Sequence, residues 1–378
     1  MTSIIILSYN TIELTKLCLQ SIRHFTESGS YELILVDNAS TDGSGEWLAA
    51  QPDVRLIANR ENVGFPKGCN QGMEVACGED ILLLNSDTVV TPRWLEQLKR
   101  ALYSSPKVGA VGPVTNKCAR MQQLTVNYGN NLDDMLTMAE NFNHVNPAKW
   151  ELTFKLVAFC FLFKREIYEK IGGLDERFAP GNFEDDDYSL RLRLAGFQLL
   201  LLRDTFIHHF GSSSFVQQKS REEWLRAAEA YNALLTRNER FFLEKWKLSS
   251  NMLNYNLWLD DLSLPTATPK ILLWENEYLN SPYQLRRLYP QGEIEVMTDS
   301  AGYARAMAPD FPVRLITADY REDFWLQGKE GYYDCAIYRK DLLKVPERED
   351  LLQVIRRAIK PQGSYIYEEG DRVRAFTV

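Results

Sequence analysis

In the opening third of this chain, apolar runs of strand length alternate with stretches of helical period. Few architectures accept that pattern. The runs are Ser3–Ser8 (SIIILS), Glu32–Val36 (ELILV), Val54–Ala58 (VRLIA) and Ile81–Leu84 (ILLL). Helical patterns lie between them at Ile12–His24, Gly43–Ala50 and Pro66–Cys77. A strand that is apolar throughout is buried on both faces, and an intervening helix makes the crossover that parallel pairing requires. The expectation is an α/β fold built on a mostly parallel sheet. A helix with Thr91 as N-cap and Pro92 at its first position should follow, and then a strand over Val108–Pro113.

Open parallel sheets bind ligands outside the carboxyl ends of their strands. Polar residues gather at those ends here: Ser8-Tyr9-Asn10, Asp37-Asn38, Asn59-Arg60 and Asn85-Ser86-Asp87. Right-handed crossovers would bring all four to one edge. Each alone reads equally well as turn or cap chemistry. Together they supply two acids, several amides and an aromatic ring. Neither GxGxxG nor GxxxxGK[ST] occurs, so no dinucleotide fingerprint or P-loop accounts for them.

Beyond Lys117 the pattern weakens, and the polar stretch to Trp150 reads as long irregular structure. Order returns with KLVAFCFLFK (Lys155–Lys164), a short helix Arg165–Ile171, and a helix in NFEDDDYSLRLRLAGF that Gly196 ends. Strands Gln198–Leu202 and Thr205–Phe210 come next, then an amphipathic helix Arg221–Trp246. Its mixed charges favour packing on its own domain over lying on a membrane. LPTATP (Leu264–Pro269) reads as a linker to a smaller α/β unit with strands Lys270–Trp274, Glu293–Met297, Tyr333–Tyr338 and Ser364–Tyr367 and a helix Glu347–Ala358. The expected division is 1–217, a helical extension 218–263, the linker 264–269, and 270–378.

The chain has 378 residues and a net charge of −8, which disfavours a nucleic-acid partner. Its six cysteines show no paired metal spacing and read as reduced core thiols. No run approaches the ~20 apolar residues of a membrane span, and MTSIIILSYN lacks the basic start of a secretion signal. A cytoplasmic protein with at most peripheral membrane association is expected.

SIIILSYN, VDNASTDGS, NRENVGFPKGCNQGM, LLLNSDT, GGLDERF and FEDDDYSLRLRLAGF, in that order and spacing, resemble a family 2 glycosyltransferase of GT-A fold over roughly residues 1–215. The resemblance implies an inverting transferase that takes a sugar from a nucleoside diphosphate, a UDP- or dTDP-sugar such as dTDP-rhamnose. The acceptor would be a hydroxyl on a glycan, a lipid-linked saccharide or a protein, in bacterial surface glycan or glycoprotein synthesis. Ser8, Tyr9 and Asn10 would then line the nucleobase pocket and Asp37 would bond the base. Asn62, Gly64 and Asn70 would sit against the nucleotide, with Asn85 and Ser86 beside it. Asp87 matches the last acid of the family's DxD motif, whose first acid is Asn85 here. It would hold Mg2+ or Mn2+, as one carboxylate with phosphates and water suffices for such an ion. His209, in HFGS, would complete that site. Asp185 corresponds to the base, with Asp187 as the alternative and Glu184 orienting the acceptor or a loop.

Plainer readings stand beside these. Asp37 and Asp87 also fit turns, His209 a structural histidine, and Asp187 with Arg191 a simple i, i+4 pair. His208 and His209 should point to opposite faces of their strand. Lys67 or Arg60 would assist the diphosphate or merely be solvated.

The tail YYDCAIYRKDLLKVPEREDLLQVIRRAIKPQGSYIYEE resembles the later half of a class I methyltransferase, yet ENEYLNSP stands where the glycine-rich cofactor loop belongs. A degenerate Rossmann-like module is the favoured reading, and a bifunctional enzyme the alternative. For the whole chain, a sugar nucleotidyltransferase lacks its GxGxRL-type loop, and a non-catalytic carbohydrate-binding protein would not need the acids.

Overall fold

The computed structural model describes residues 1–118, 121–129, 131–211, 221–248, 259–260, 262–276, 278–316, 328–339, 349–369 and 372–377. Ser212 of the histidine motif, Glu277 and the first two residues of the expected helix 347–358 lie outside them. The chain divides into two compact units, Met1–Glu239 and Arg240–Val378.

In the first unit the four apolar runs are strands, β1 (Thr2–Ser8), β2 (Tyr31–Asp37), β3 (Val54–Ala58) and β4 (Asp80–Asn85), with helices α1 (Ile12–Phe25), α2 (Ser44–Ala49) and α3 (Phe65–Val75) between them. All four pair in parallel, in the order β3-β2-β1-β4. A two-residue strand β5 (Thr88–Val89), helix α4 (Trp94–Leu102), β6 (Val108–Val114), α5 (Leu132–Phe142), β7 (Trp150–Thr153), β8 (Cys160–Lys164), α6 (Arg165–Ile171), α7 (Glu184–Leu194), β9 (Gln198–Phe206), β10 (His208–His209) and α8 (Arg221–Trp246) complete the order. The sheet continues β4-β8-β6-β9-β7, with β8 and β7 antiparallel to their neighbours. This is the mostly parallel α/β architecture that the resemblance implies.

Both sheet faces are covered. Leu82, Leu84, Cys18, Leu19 and Trp94 belong to one buried cluster. Ile81, Leu83, Phe161, Phe163 and Tyr188 belong to another. Successive strand residues thus feed opposite layers. Helix α3 meets β1 and β2 closely because Gly68 leaves space for Leu7 and Val36.

Three local expectations are corrected. Helix α4 starts at Trp94 after a left-handed Arg93 (φ 61°), so Thr91 is not its N-cap. The Thr91 hydroxyl instead donates to the Phe206 carbonyl. The stretch read as irregular contains α5, capped by Asn131, whose side chain accepts from the Asp133 and Asp134 amides. Gln198–Phe206 is one strand rather than two. Of the cysteines, Cys77 is exposed and Cys118 partly so, while the other four are buried.

The second unit holds β11 (Lys270–Trp274), α9 (Ser281–Leu288), β12 (Glu293–Thr298), α10 (Ala301–Met307), β13 (Val313–Leu315), β14 (Tyr333–Arg339), a helix Glu349–Ala358, β15 (Ile359–Glu369) and β16 (Arg372–Thr377). The sheet order is β13-β12-β11-β14-β15-β16, antiparallel only at β16.

At the mouth of the first sheet, Gly64 has φ +84°, and a Cβ there would stand 2.9 Å from the Pro180 Cα. Gly64→Ala is expected to cost about 1–3 kcal/mol in thermal or denaturant unfolding, since both backbone strain and a backbone clash oppose it.

Candidate active site

An open cleft of about 710 Å³ lies at the carboxyl ends of β1 and β4. Tyr9, Asn62, Asn85, Ser86, Asp87, Glu184, Asp185 and His209 line it. Of the residues expected at the site, these eight are brought together.

The metal-type pair comes from a clip between two tiny strands. β5 and β10 pair antiparallel, Thr88 opposite His209 and Val89 opposite His208. The Phe210 amide donates to the Asp87 carbonyl. This sets His209 Nε2 3.2 Å from Asp87 Oδ1. His209 Nδ1 lies 2.8 Å from the Lys117 carbonyl, which can only accept, so Nδ1 carries the proton. In neutral imidazole the Nε2 lone pair then faces the Asp87 carboxylate. Two acceptors converging in this way fit a cation between or beside them. Phe159 stacks under the ring, centroids 5.2 Å apart. His208 points elsewhere, to the Tyr128 hydroxyl at 2.7 Å. Burial pushes its imidazolium down to about 4. Among the described residues no group of three or more His, Cys, Asp or Glu is placed to hold a metal ion. An ion at Asp87 and His209 would therefore need ligands from a substrate.

The acids begin α7. Asn182 (φ 74°) and Phe183 (φ 73°) are both left-handed, so the chain turns sharply into the helix. Asn238 of α8 holds that corner, its amide donating to the Phe178, Gly181 and Asn182 carbonyls. Tyr188 anchors the helix edge-on against Phe161 and Phe163 of β8. Asp185 Oδ2 accepts from the Ala158 amide at 3.2 Å, and Oδ1 from the Asp186 amide at 2.9 Å. Burial, with the Asp186 charge beside it, raises its carboxyl to about 6. Burial lifts Glu184 well above the usual carboxylate range, with Asp185 adding to the effect. Its Oε2 is buried without a hydrogen-bond partner. Both carboxyls are thus held above their ordinary range, and each charge opposes the other.

The other expected residues stand behind the lining. Ser8 is fully buried with its hydroxyl among Thr11 and Thr15. Asn10 shapes a loop, its Oδ1 accepting from the Thr41 amide at 2.7 Å. Asp37 is buried at the end of β2, and Gly45 packs so close that a Cβ there would stand 2.9 Å from its Oδ2. Gly64 passes its backbone over Pro180. Asn70 does not touch the cleft: it brackets Leu174, donating to its carbonyl and accepting from its amide. Asp187 is fully buried and paired with Arg191 at 2.9 Å. The i, i+4 pairing is realised, and a catalytic role for Asp187 does not fit that position.

Sequence reasoning did not single out Asn38, Lys155, Phe159 or Asp186 as site residues, nor the wall formed by Tyr231, Leu234 and Leu235 of α8. Asn38 was legible: it is a buried amide at a strand end, and it ties Asn59, Asn62 and the Val63 amide together. The α8 wall had no signal, because amphipathic spacing does not say what the apolar face covers.

Fold and cleft together define an α/β domain with a polar cleft at the carboxyl ends of its parallel strands. Residues 3–172 match the family model for glycosyl transferase family 2. The N-terminal part of this chain belongs to the family 2 glycosyltransferases. It is 26% identical over 295 residues to protein y4gI of Sinorhizobium fredii, covering 75% of this chain and 30% of that one. To the O-antigen biosynthesis protein RfbC of Myxococcus xanthus it is 28% identical, covering 56% and 17%. To an N-acetylglucosaminyl-diphospho-decaprenol L-rhamnosyltransferase of Mycobacterium tuberculosis it is 25% identical, covering 48% and 67%. The chain thus spans under a third of the first two relatives. A mannosyltransferase from Pyrobaculum calidifontis, solved with GDP-Man and Mn2+, aligns with a TM-score of 0.43 at 22% identity over 59% of each chain.

Asp187→Asn should lower stability by about 3 kcal/mol, because it breaks a buried pair and leaves Arg191 uncompensated. Asp185→Asn should not destabilise at pH 8. With a folded value above the unfolded one, ionising Asp185 disfavours the native state, and that loss grows as pH rises from about 4 through 6. Melting curves of both variants check this.

Proposed function

We propose that this chain is an inverting glycosyltransferase, moving a sugar from a nucleoside diphosphate to a hydroxyl acceptor in the making of a bacterial surface glycan or glycoprotein. The observation that carries the reading is one cleft lined by a charged, half-buried carboxylate, Asp185, and by the Asp87–His209 pair. Asp185 takes the proton of the acceptor hydroxyl as its oxygen attacks the anomeric carbon from the face opposite the leaving diphosphate, so configuration inverts. Asp87 and His209 would hold Mg2+ or Mn2+, which supplies Lewis-acid stabilisation of the departing diphosphate. Tyr9 and Asn62 lie where a nucleotide would be received, with Asp37 and Asn10 shaping the loops behind them. Glu184, whose charge burial disfavours, orients the acceptor or a neighbouring loop.

The names of the relatives favour surface polysaccharide and a rhamnosyl donor such as dTDP-rhamnose, with a lipid-linked saccharide, a glycan or a protein as acceptor. No nucleic acid is involved, and the protein works in the cytoplasm, at most peripheral to the membrane. No helix among the described residues is long and apolar enough to cross one. In the proposed organisation 1–217 is the transferase domain, 218–263 its helical extension, 264–269 a linker, and 270–378 a Rossmann-like module that positions an acceptor. A methyltransferase role for that module is disfavoured, because after β11 the buried Glu275 bonds Ser281 and the Asn276 amide where a cofactor would need bare backbone.

Release of nucleoside diphosphate from a panel of UDP-, dTDP- and GDP-sugars, with acceptor, tests the reading. Turnover should require Mn2+ or Mg2+, vanish with EDTA, and rise with pH through about 6. Asp185→Asn should lower kcat by about 10²–10⁴ with little change in KM. Undiminished turnover in that variant would refute the assignment.

A further inference from the structure

Between β7 and β8 runs a five-residue strap, Lys155–Phe159, and four of its members, Lys155, Val157, Ala158 and Phe159, line the cleft. Lys155 Nζ lies 2.6 Å from Asp186 Oδ1. The Leu156 amide donates to Ser189 Oγ at 3.2 Å, and the Ala158 amide to Asp185 Oδ2 at 3.2 Å. The Val157 amide donates to Gln122 Oε1 at 2.7 Å. The Phe159 carbonyl accepts from the Asn85 amide at 2.9 Å, and its ring carries the His209 imidazole. One short segment therefore touches both the carboxylates of α7 and the metal-type pair.

Lys155 is the unusual member. Its side chain is only 20% exposed, and a lysine stem in such a place gives up rotamer freedom and hydration. Three carboxyls, Glu184, Asp185 and Asp186, start the helix it faces, so the cation answers a concentration of like charge. Burial opposes its charge, but Asp186 and Asp185 outweigh that and raise its ammonium above the ordinary value, with the Cys118 thiol nearby. The groups facing Asp185 are Glu184 and Asp186 from its own helix and Lys155 from the strap.

We propose that Lys155 is a positioning residue for the transfer reaction: its ammonium, docked on Asp186, locks the strap against α7 and keeps Asp185 charged and aimed into the cleft. Two neighbouring carboxylates in one partly buried site resist ionising together, and a cation a few ångströms away offsets that resistance. The base has two fixed donors, the Ala158 amide from the strap and the Asp186 amide from its own helix, which hold its lone pairs in one direction. The inference deepens the proposed transfer and rests on Asp185 as its base.

The test is a titration of Asp185 by 13C NMR on aspartate-labelled full-length protein, the resonance assigned by its absence in D185N. In Lys155→Met the midpoint should rise by about one unit or more, because an opposite charge nearby is lost. Lys155→Arg, which keeps the charge, should titrate as wild type does. Asp186→Asn should move the midpoint the other way, downward, since a like charge disappears; it serves as well if the methionine variant does not fold. In the nucleotide-release assay the acid limb of the kcat profile should shift by the same amount as the NMR midpoint. An unmoved midpoint in Lys155→Met, an arginine variant that behaves like methionine, or an upward shift in Asp186→Asn would overturn the proposal. The titration needs no substrate. Shifted midpoints without turnover of any donor would therefore refute the transferase reading and leave the charge coupling standing.

Discussion

Asp87 and His209 come from distant parts of the chain, and a ladder of two residues on each side, Thr88 with His209 and Val89 with His208, brings them within 3.2 Å. The clip works because β4 ends abruptly. The chain leaves β4 at Asn85-Ser86-Asp87 and pairs at once with the segment that follows β9. That ladder sets the backbone beneath the carboxylate and the imidazole. The Lys117 carbonyl and the Phe159 ring then settle which nitrogen faces the acid and how the ring lies.

On the far end of the strap that carries Phe159, the charge problem is solved differently. Helix α7 opens with four acids in a row, and its positive dipole end accounts for some of that. The remainder is sorted by environment. Asp187 is paired with Arg191 and Asp186 with Lys155, burial disfavours the charge on Glu184, and Asp185 lines the cleft held by two amides. The backbone strain at Asn182 and Phe183, clasped by Asn238, is the structural cost of aiming them.

How much of this was legible follows from which signals are local. The parallel sheet was, because VDNAS and LLLNSDT each carry their own strand and its end. Helix α7 and the pairing of Asp187 with Arg191 were also legible, from i, i+4 spacing alone. Helix α5 carried its own signal too, since Leu132, Met135, Leu136, Ala139 and Phe142 recur at helical spacing and pack into or against the core; the polar run ahead of its cap Asn131 masked it. The clip escaped notice because two-residue strands have no periodicity. Lys155 escaped because its partners sit across the fold, and a lysine at the head of an apolar run otherwise reads as a solvated flank. Asn70 shows the opposite error, a polar residue in a conspicuous motif whose amide serves a neighbouring turn.

An ion held by Asp87 and His209 would be completed by the substrate, since one carboxylate with one imidazole is a weak host. Calorimetric titration of Mn2+ into the protein, alone and saturated with UDP, dTDP or GDP, tests this directly. The account predicts heat of binding only with a nucleotide present, and its loss in Asp87→Ala. Tight binding of Mn2+ to the nucleotide-free protein, or nucleotide binding indifferent to both the ion and Asp87, would contradict it.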